Sequence, residues 1–141
     1  MLVKLLYKSN RTEECTEQDI AQILESAQRN NGPMGITGML LYDRSSFIQY
    51  LEGPSGPVSD LYEIIRKDPR HKDVRMIIFG PAKKRIFPSW AMDSKEVNTQ
   101  KLALNANLSL ENREVIENIL KGETVESDRA IEWLTTFVNE V

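Results

Sequence analysis

The stretch GITGMLLYDRSSFIQYLEG, residues 35–53, constrains the fold of this chain most strongly. Two largely apolar runs flank the polar segment DRSS, whose Asp and Ser side chains favour a tight turn because they bond to their own backbone. The pattern predicts a β-hairpin. With a side-chain period of two, Gln49 lies on the same face as Phe47 and Leu51. A buried amide without partners costs about 1–3 kcal/mol, so we expect a polar group to meet Gln49 inside the protein.

Length and composition exclude several classes of function. The chain has 141 residues and a net charge of −3, which indicates one globular domain and argues against a phosphate-binding nucleic-acid surface. Cys15 is the only cysteine, so an intrachain disulfide is excluded and a cytoplasmic location is favoured. His71 is the only histidine and no GxSxG motif occurs, which disfavours a zinc site and a Ser-His-Asp catalyst. We therefore expect no metal, no catalytic residue and no membrane span.

The first two elements are a strand and a capped helix. Residues 2–8 alternate, and Tyr7 lies on the more apolar face. Thr16 is a good helix N-cap with Asp19 in the capping-box position. The helix ends at residues 30–33, NNGP, where Asn or Gly can take the left-handed cap. Its predicted buried face consists of Ile20, Ile23, Leu24 and Ala27.

The elements after the hairpin predict an α+β fold. A turn at residues 53–57 leads into a second helix that ends at 67–69, followed by a strand at 73–79 and a short edge strand at 90–92. The order is the ferredoxin-like βαββαβ with an added fifth strand, and both helices must cover one face of the sheet. The buried face of the second helix is predicted to contain Val58, Leu61, Tyr62 and Ile65.

The sequence changes character after residue 97. Residues 98–141 contain two amphipathic helices, the first closed by Gly122 and the second capped by Ser127 or Asp128. Two short helices cannot bury their own apolar faces. We therefore divide the chain into a domain at 1–97 and a helical extension at 98–141, which packs on the bare sheet face or at a subunit interface.

Structural roles remain open for every polar candidate on these grounds alone. Gln49 fits a buried structural amide, and a cofactor-free ligand-binding or dimerisation module with the ferredoxin-like fold satisfies the same pattern. A phosphate hydrolase of the acylphosphatase kind is disfavoured because residues 9–12, SNRT, lack a glycine. The other structural readings are core residues for Tyr7, Trp90 and Met92, a helix stop for Asn30 and Asn31, and a solvated loop for Arg70 and His71.

Six short motifs occur in a specific order between residues 2 and 93: LLYKS, RNN, GITGMLLY, FIQYLEG, DPRH and RIFPSWAM. Each motif is weak by itself, but their order and spacing are specific. In these motifs the sequence resembles the BLUF domain, a blue-light sensor that uses flavin. The resemblance implies that FAD, with FMN and riboflavin as alternatives, lies between the two helices that cover the sheet.

The resemblance also implies which residues bind the flavin. Ile23 and Ile65 match the aliphatic residues that sandwich the ring, Asn31 matches a ligand of its polar edge, and residues 68–71 match the loop near the ribityl and phosphate end. The complete set implied is Ile23, Asn30, Asn31, Leu40, Phe47, Gln49, Ile65, Asp68, Arg70 and His71.

Tyr7 and Gln49 match the photoactive pair of the family. The resemblance implies that Tyr7 transfers an electron and a proton to the excited flavin, after which Gln49 is left rearranged and the absorption shifts to the red. Trp90 and Met92 match the output strand, which would signal through the tail helices. Because no output enzyme precedes Val141, the chain resembles the short BLUF proteins, and we expect a homo-oligomer that acts on a partner protein and is not itself an enzyme.

Overall fold

The computed structural model describes residues 1–87, 93–98 and 110–139. In these ranges the chain forms five strands and four helices. Their bounds are β1 Leu2–Arg11, α1 Glu17–Asn31, β2 Thr37–Tyr42, β3 Ser46–Pro54, α2 Ser55–Lys67, β4 His71–Pro81, β5 Asp93–Glu96, α3 Leu110–Leu120 and α4 Ser127–Asn139.

The strands form one mixed sheet in the order β4-β1-β3-β2-β5. The first four strands are antiparallel neighbours, which confirms the predicted ferredoxin-like arrangement. The β5 strand lies parallel to β2 at the sheet edge, with Met39 opposite Asp93. The predicted fifth strand at residues 90–92, including Trp90 and Met92, lies outside the described residues.

Local signals account for the hairpin and the start of α1. The Asp43 carboxylate accepts hydrogen bonds from the backbone N–H groups of Ser45 and Ser46, at 2.8 and 2.9 Å, which closes the turn between β2 and β3. Thr16 and Asp19 form both hydrogen bonds of the predicted capping box. These short-range bonds confirm the two sequence interpretations.

The end of α1 differs from the prediction of a left-handed cap at residues 30–33. Gly32 is right-handed, with φ −54°, and the left-handed residue is Gly35, with φ +74°. The chain turns because Asn31 O accepts a hydrogen bond from Ile36 N at 2.9 Å. The start of α2 also differs from the predicted turn at residues 53–57, because the helix begins at Ser55 and includes Pro57. Proline is tolerated there because the N–H groups in the first turn of a helix have no intrahelical acceptor.

Each face of the sheet supports its own apolar core. On one face α1 and α2 contribute Ile20, Val58 and Tyr62 to a cluster with Tyr7 and other strand residues. This arrangement confirms that both helices cover one face. The other face packs against α3 and α4 in a second core that contains Leu6, Met39, Leu41, Ile48, Tyr50, Ile77, Ile78, Val115, Ile116, Ile119, Trp133 and Leu134.

The tail helices therefore lie on the sheet face opposite α1 and α2. Gly122, with φ +74°, ends α3 and donates its N–H to Ile119 O at 2.9 Å, as the sequence predicts. In α4 the buried residues include Trp133, which is 2% exposed. The division of the chain at residue 97 stays a prediction. None of the helices within the described ranges is long and apolar enough to cross a membrane.

Candidate functional site

A cavity of about 340 Å³ lies between α1, α2 and the sheet. This volume falls within the range of small-molecule pockets. The walls are mainly aliphatic because the amphipathic faces of both helices point toward the sheet. Its lining residues are Tyr7, Ile23, Ser26, Ala27, Asn30, Asn31, Met34, Ile36, Leu40, Phe47, Gln49, Pro57, Leu61, Ile64, Ile65, Asp68, Arg70 and His71.

The structure brings together, in this one cavity, all ten residues that the sequence resemblance implies for flavin binding, and Tyr7. They come from both helices and from four strands or their ends. Ile23 on α1 and Ile65 on α2 are wall residues from the two helices. The predicted relay residues Trp90 and Met92 lie outside the described residues.

Tyr7 and Gln49 form a direct hydrogen bond on the sheet side of the cavity. They are opposite each other in the β1–β3 register, and the Tyr7 hydroxyl donates to Gln49 Oε1 at 2.5 Å. Both side chains are buried, with 1% and 5% exposure. Burial raises the pKa of Tyr7 well above its ordinary value, and the Asp68 charge acts in the same direction, so the phenol stays protonated as a donor. The polar partner expected for Gln49 is therefore Tyr7.

Asn31 places an unsatisfied donor at the cavity. The residue is 3% exposed, and no atom of the described residues accepts a hydrogen bond from its Nδ2. A buried amide donor without an acceptor costs about 1–3 kcal/mol. A ligand with a carbonyl or ring nitrogen on its edge would satisfy it. Together with the aliphatic helix faces, this donor fits a flat heteroaromatic ring such as the isoalloxazine of a flavin.

His71 is buried in the cavity wall and does not lie in a solvated loop. It is the first residue of β4, is 8% exposed, and lies with Nδ1 2.8 Å from Ser9 Oγ. Its ring packs on Phe47 with a centroid separation of 4.5 Å. Burial lowers the pKa of His71 from 6.5 to about 4, against the opposing effect of the Asp68 carboxylate. The solvated-loop interpretation is therefore wrong for His71, which is a neutral residue of the cavity wall.

Asp68 and Arg70 form an ion pair at the edge of the cavity. Arg70 donates to Asp68 Oδ1 from Nε at 3.0 Å and to Oδ2 from a terminal nitrogen at 2.6 Å. Burial opposes the charge on Asp68, but the hydrogen bonds from Arg70 outweigh it and keep the pKa of Asp68 below its ordinary value. The Arg70 guanidinium is thus already paired, and its contact with a phosphate group stays a prediction.

Several cavity residues were missed by the sequence interpretation. Ala27 and Leu61 belong to the predicted buried helix faces, so their periodicity was the available signal. Met34 and Ile64 are 50% and 66% exposed, and no periodic pattern marks them. They extend the apolar surface to the outer rim of the cavity. The remaining lining residues not predicted are Ser26, Ile36 and Pro57.

Comparison with known proteins gives a consistent family. The family model described as "BLUF: Sensors of blue-light using FAD" matches residues 2–93. The photoactivated adenylate cyclase subunit beta of Euglena gracilis is 40% identical over 94 residues. That match covers 66% of this chain but only 11% of the relative, so the chain spans a small part of the curated protein that it resembles.

Solved structures have the same architecture. The dark-state structure of BlrB, a BLUF protein, has a TM-score of 0.68 and 30% identity, and the match covers 86% of this chain and 95% of that chain. The photo-activated state of BlsA has a TM-score of 0.69 and 30% identity, with 89% and 99% coverage. Because the family model covers well over half of the chain and the fold agrees, this protein belongs to the BLUF family of blue-light sensors that use flavin.

Proposed function

We propose that this protein is a blue-light receptor that binds a flavin non-covalently and uses Tyr7 and Gln49 as its photoactive pair. The observation that carries the proposal is the buried hydrogen bond from Tyr7 to Gln49 Oε1 in the wall of the cavity. When bound, the flavin supplies the absorption of blue light and an acceptor for one electron. FAD is the flavin proposed, with FMN and riboflavin as alternatives.

Tyr7 is suited to donate an electron together with its proton. Its buried phenol is protonated, because burial and the Asp68 charge disfavour the phenolate, so loss of the electron is coupled to loss of the proton from the hydroxyl. The hydroxyl already directs that proton toward Gln49. The return of the electron and the proton to Tyr7 leaves the protein covalently unchanged.

Gln49 is suited to remain in a changed hydrogen-bond arrangement after the electron and the proton have returned to Tyr7. Its amide has a donor end and an acceptor end, so two hydrogen-bond arrangements with Tyr7 and the ligand can be close in energy. After light, the rearranged amide would donate to the flavin carbonyl, which shifts the absorption to the red. Asn31 Nδ2 would bind the polar edge of the ring, and the apolar faces of α1 and α2 would hold the ring between Ile23 and Ile65.

The first experiment is a visible absorption spectrum of the purified protein in the dark, after blue light and after recovery. We expect a flavin spectrum that shifts slightly to the red and returns. Gln49→Leu should bind flavin without the shift, whereas Gln18→Leu, an exposed glutamine on α1, should behave as the wild type. A purified protein that is colourless and does not bind added flavin would refute the function. A flavin spectrum that does not change after blue light would refute the photocycle.

Output would pass from Gln49 through the segment of Trp90 and Met92 to β5 and the tail helices, and from there to a partner protein in a homo-oligomer. The support is the position of α3 and α4 on the sheet face that Tyr50 shares, and the name of a relative, photoactivated adenylate cyclase subunit beta, which reports an output activity that depends on light in that protein. Met92→Ala should keep the spectral shift and weaken light-dependent proteolysis of residues 98–141. If proteolysis of residues 98–141 in Met92→Ala differed between dark and light as much as in the wild type, this route would be excluded.

A further inference from the structure

Glu52 is a fully buried carboxylate for which the proposed photocycle has no use. It is 0% exposed on β3 and lies on the same face as Tyr50, because the two are two residues apart. Its oxygens accept four hydrogen bonds, including one from Thr37 Oγ1 at 3.3 Å and one from the Tyr50 hydroxyl at 3.2 Å. A buried carboxylate persists only with such partners.

Two of these four bonds come from the backbone just before residues 88–92. Ile86 N donates to Glu52 Oε2 at 3.0 Å, and Phe87 N donates to Oε1 at 2.6 Å. The Phe87 ring packs on Tyr50 with a centroid separation of 5.8 Å, inside the core that α3 and α4 share. Glu52 therefore fixes the position at which Phe87 enters that core.

Arg85 joins the same backbone to the rim of the cavity. Its guanidinium donates to Gly35 O at 2.7 Å, to Thr37 Oγ1 at 2.9 Å and to Glu52 O at 3.3 Å. Gly35 belongs to the turn that Asn31 closes, and the next residue, Ile36, lines the cavity. A displacement of this turn would therefore move Arg85.

We propose that Glu52 and Arg85 are positioning residues that couple the flavin cavity to α3 and α4. The Arg85 guanidinium would move with the turn after α1, to which it is hydrogen-bonded. The Glu52 carboxylate would shift with it and displace the backbone of Ile86 and Phe87, and so the packing of the second core. This inference rests on the proposed function. It adds a route to the output helices that begins at the Asn31 side of the ring rather than at Gln49.

The test measures hydrogen–deuterium exchange of residues 83–98 and 110–139 by mass spectrometry. The samples are flavin-free protein, flavin-loaded protein in the dark and flavin-loaded protein under blue light, each with an absorption spectrum. The variants are Glu52→Gln and Arg85→Gln, with Lys84→Gln at the exposed neighbouring position as the control. Gln at position 52 keeps one acceptor and gains donors, so one of the two backbone N–H groups loses its partner.

In the dark, Glu52→Gln should raise the exchange rate of at least one of the Ile86 and Phe87 amides about tenfold or more, because that N–H loses its hydrogen bond to a buried carboxylate oxygen. Both variants should keep the red shift yet lose most of the change in 110–139 caused by flavin or light, whereas Lys84→Gln should retain it. Arg85→Gln provides the decision if Glu52→Gln does not fold, since Arg85 is only partly buried.

Retention of the full change in 110–139 by the folded variants would overturn the inference, as would unchanged exchange of Ile86 and Phe87 in Glu52→Gln. Failure of the wild type to shift its spectrum would refute the photocycle instead. In that case the comparison of flavin-free with flavin-loaded protein still decides whether Glu52 and Arg85 connect the cavity to the tail. The absence of any change in 110–139 of the wild type on flavin binding or illumination would also overturn the coupling.

Discussion

Removal of the Tyr7–Gln49 hydrogen bond provides the most direct energetic test of the site. Tyr7→Phe and Gln49→Leu each remove one partner of a bond between side chains that are 1% and 5% exposed. Each single substitution leaves the other polar group buried without this bond, at about 1–3 kcal/mol. The double substitution removes both groups, so its cost should be smaller than the sum of the single costs. The expected coupling free energy is about 1–3 kcal/mol.

The measurement is a double-mutant cycle on flavin-free protein, because a bound flavin would offer new partners to either side chain. Urea unfolding gives the free energies, and the m-values must agree among the four proteins. In thermal unfolding, the coupling corresponds to roughly 3–10 °C for a chain of this length. A second cycle that pairs Tyr7→Phe with Gln18→Leu serves as the control, since the exposed Gln18 should be additive within about 0.5 kcal/mol.

A coupling free energy below about 0.5 kcal/mol in the first cycle would refute the reasoning. That result would mean that Tyr7 and Gln49 do not depend on each other in the folded protein, whatever their separation. The position of Gln49 would then have to be determined by its other contacts. A large coupling in the Gln18 control would instead show that the substitutions act through the unfolded state.

Three further predictions concern the cavity and the sheet. Asn31→Ala should weaken flavin affinity by about 5–150-fold in a fluorescence titration, since it removes a buried donor worth about 1–3 kcal/mol to a bound acceptor; equal affinity would exclude Asn31 as a ligand. The pKa of His71 is about 4 in the folded protein and 6.5 ordinarily, so the unfolded chain binds the proton first as the pH drops. The free energy of unfolding should therefore fall by up to about 3 kcal/mol between pH 6.5 and 4. This loss should be absent in His71→Gln, and equal dependence of the unfolding free energy on pH in the wild type and the variant would contradict it. Gly38→Ala should lower the melting temperature strongly because its Cβ would lie 1.9 Å from Tyr50 O, whereas Gly56→Ala, with open space, should not.

The sequence by itself determined most of the local structure. The Asp43 turn, the Thr16 capping box and the Gly122 helix end depend on residues within a few positions of each other, so pattern and side-chain chemistry suffice to predict them. The two helix periodicities also determined which faces cover the sheet. The resemblance to BLUF domains added the positions that line the cavity, which periodicity alone left as core residues.

Only the tertiary structure decided which polar groups meet. Tyr7 and Gln49 are 42 residues apart, and Ser9 and His71 are 62 apart, so no local rule pairs them. The burial of His71 and the network of Glu52 with Arg85 were not predicted for the same reason. Alternation places Glu52 on a sheet face, but whether that face meets water or tail helices depends on packing across the whole chain. Hydrophobic periods are local quantities, whereas the environment of a polar group depends on distant elements.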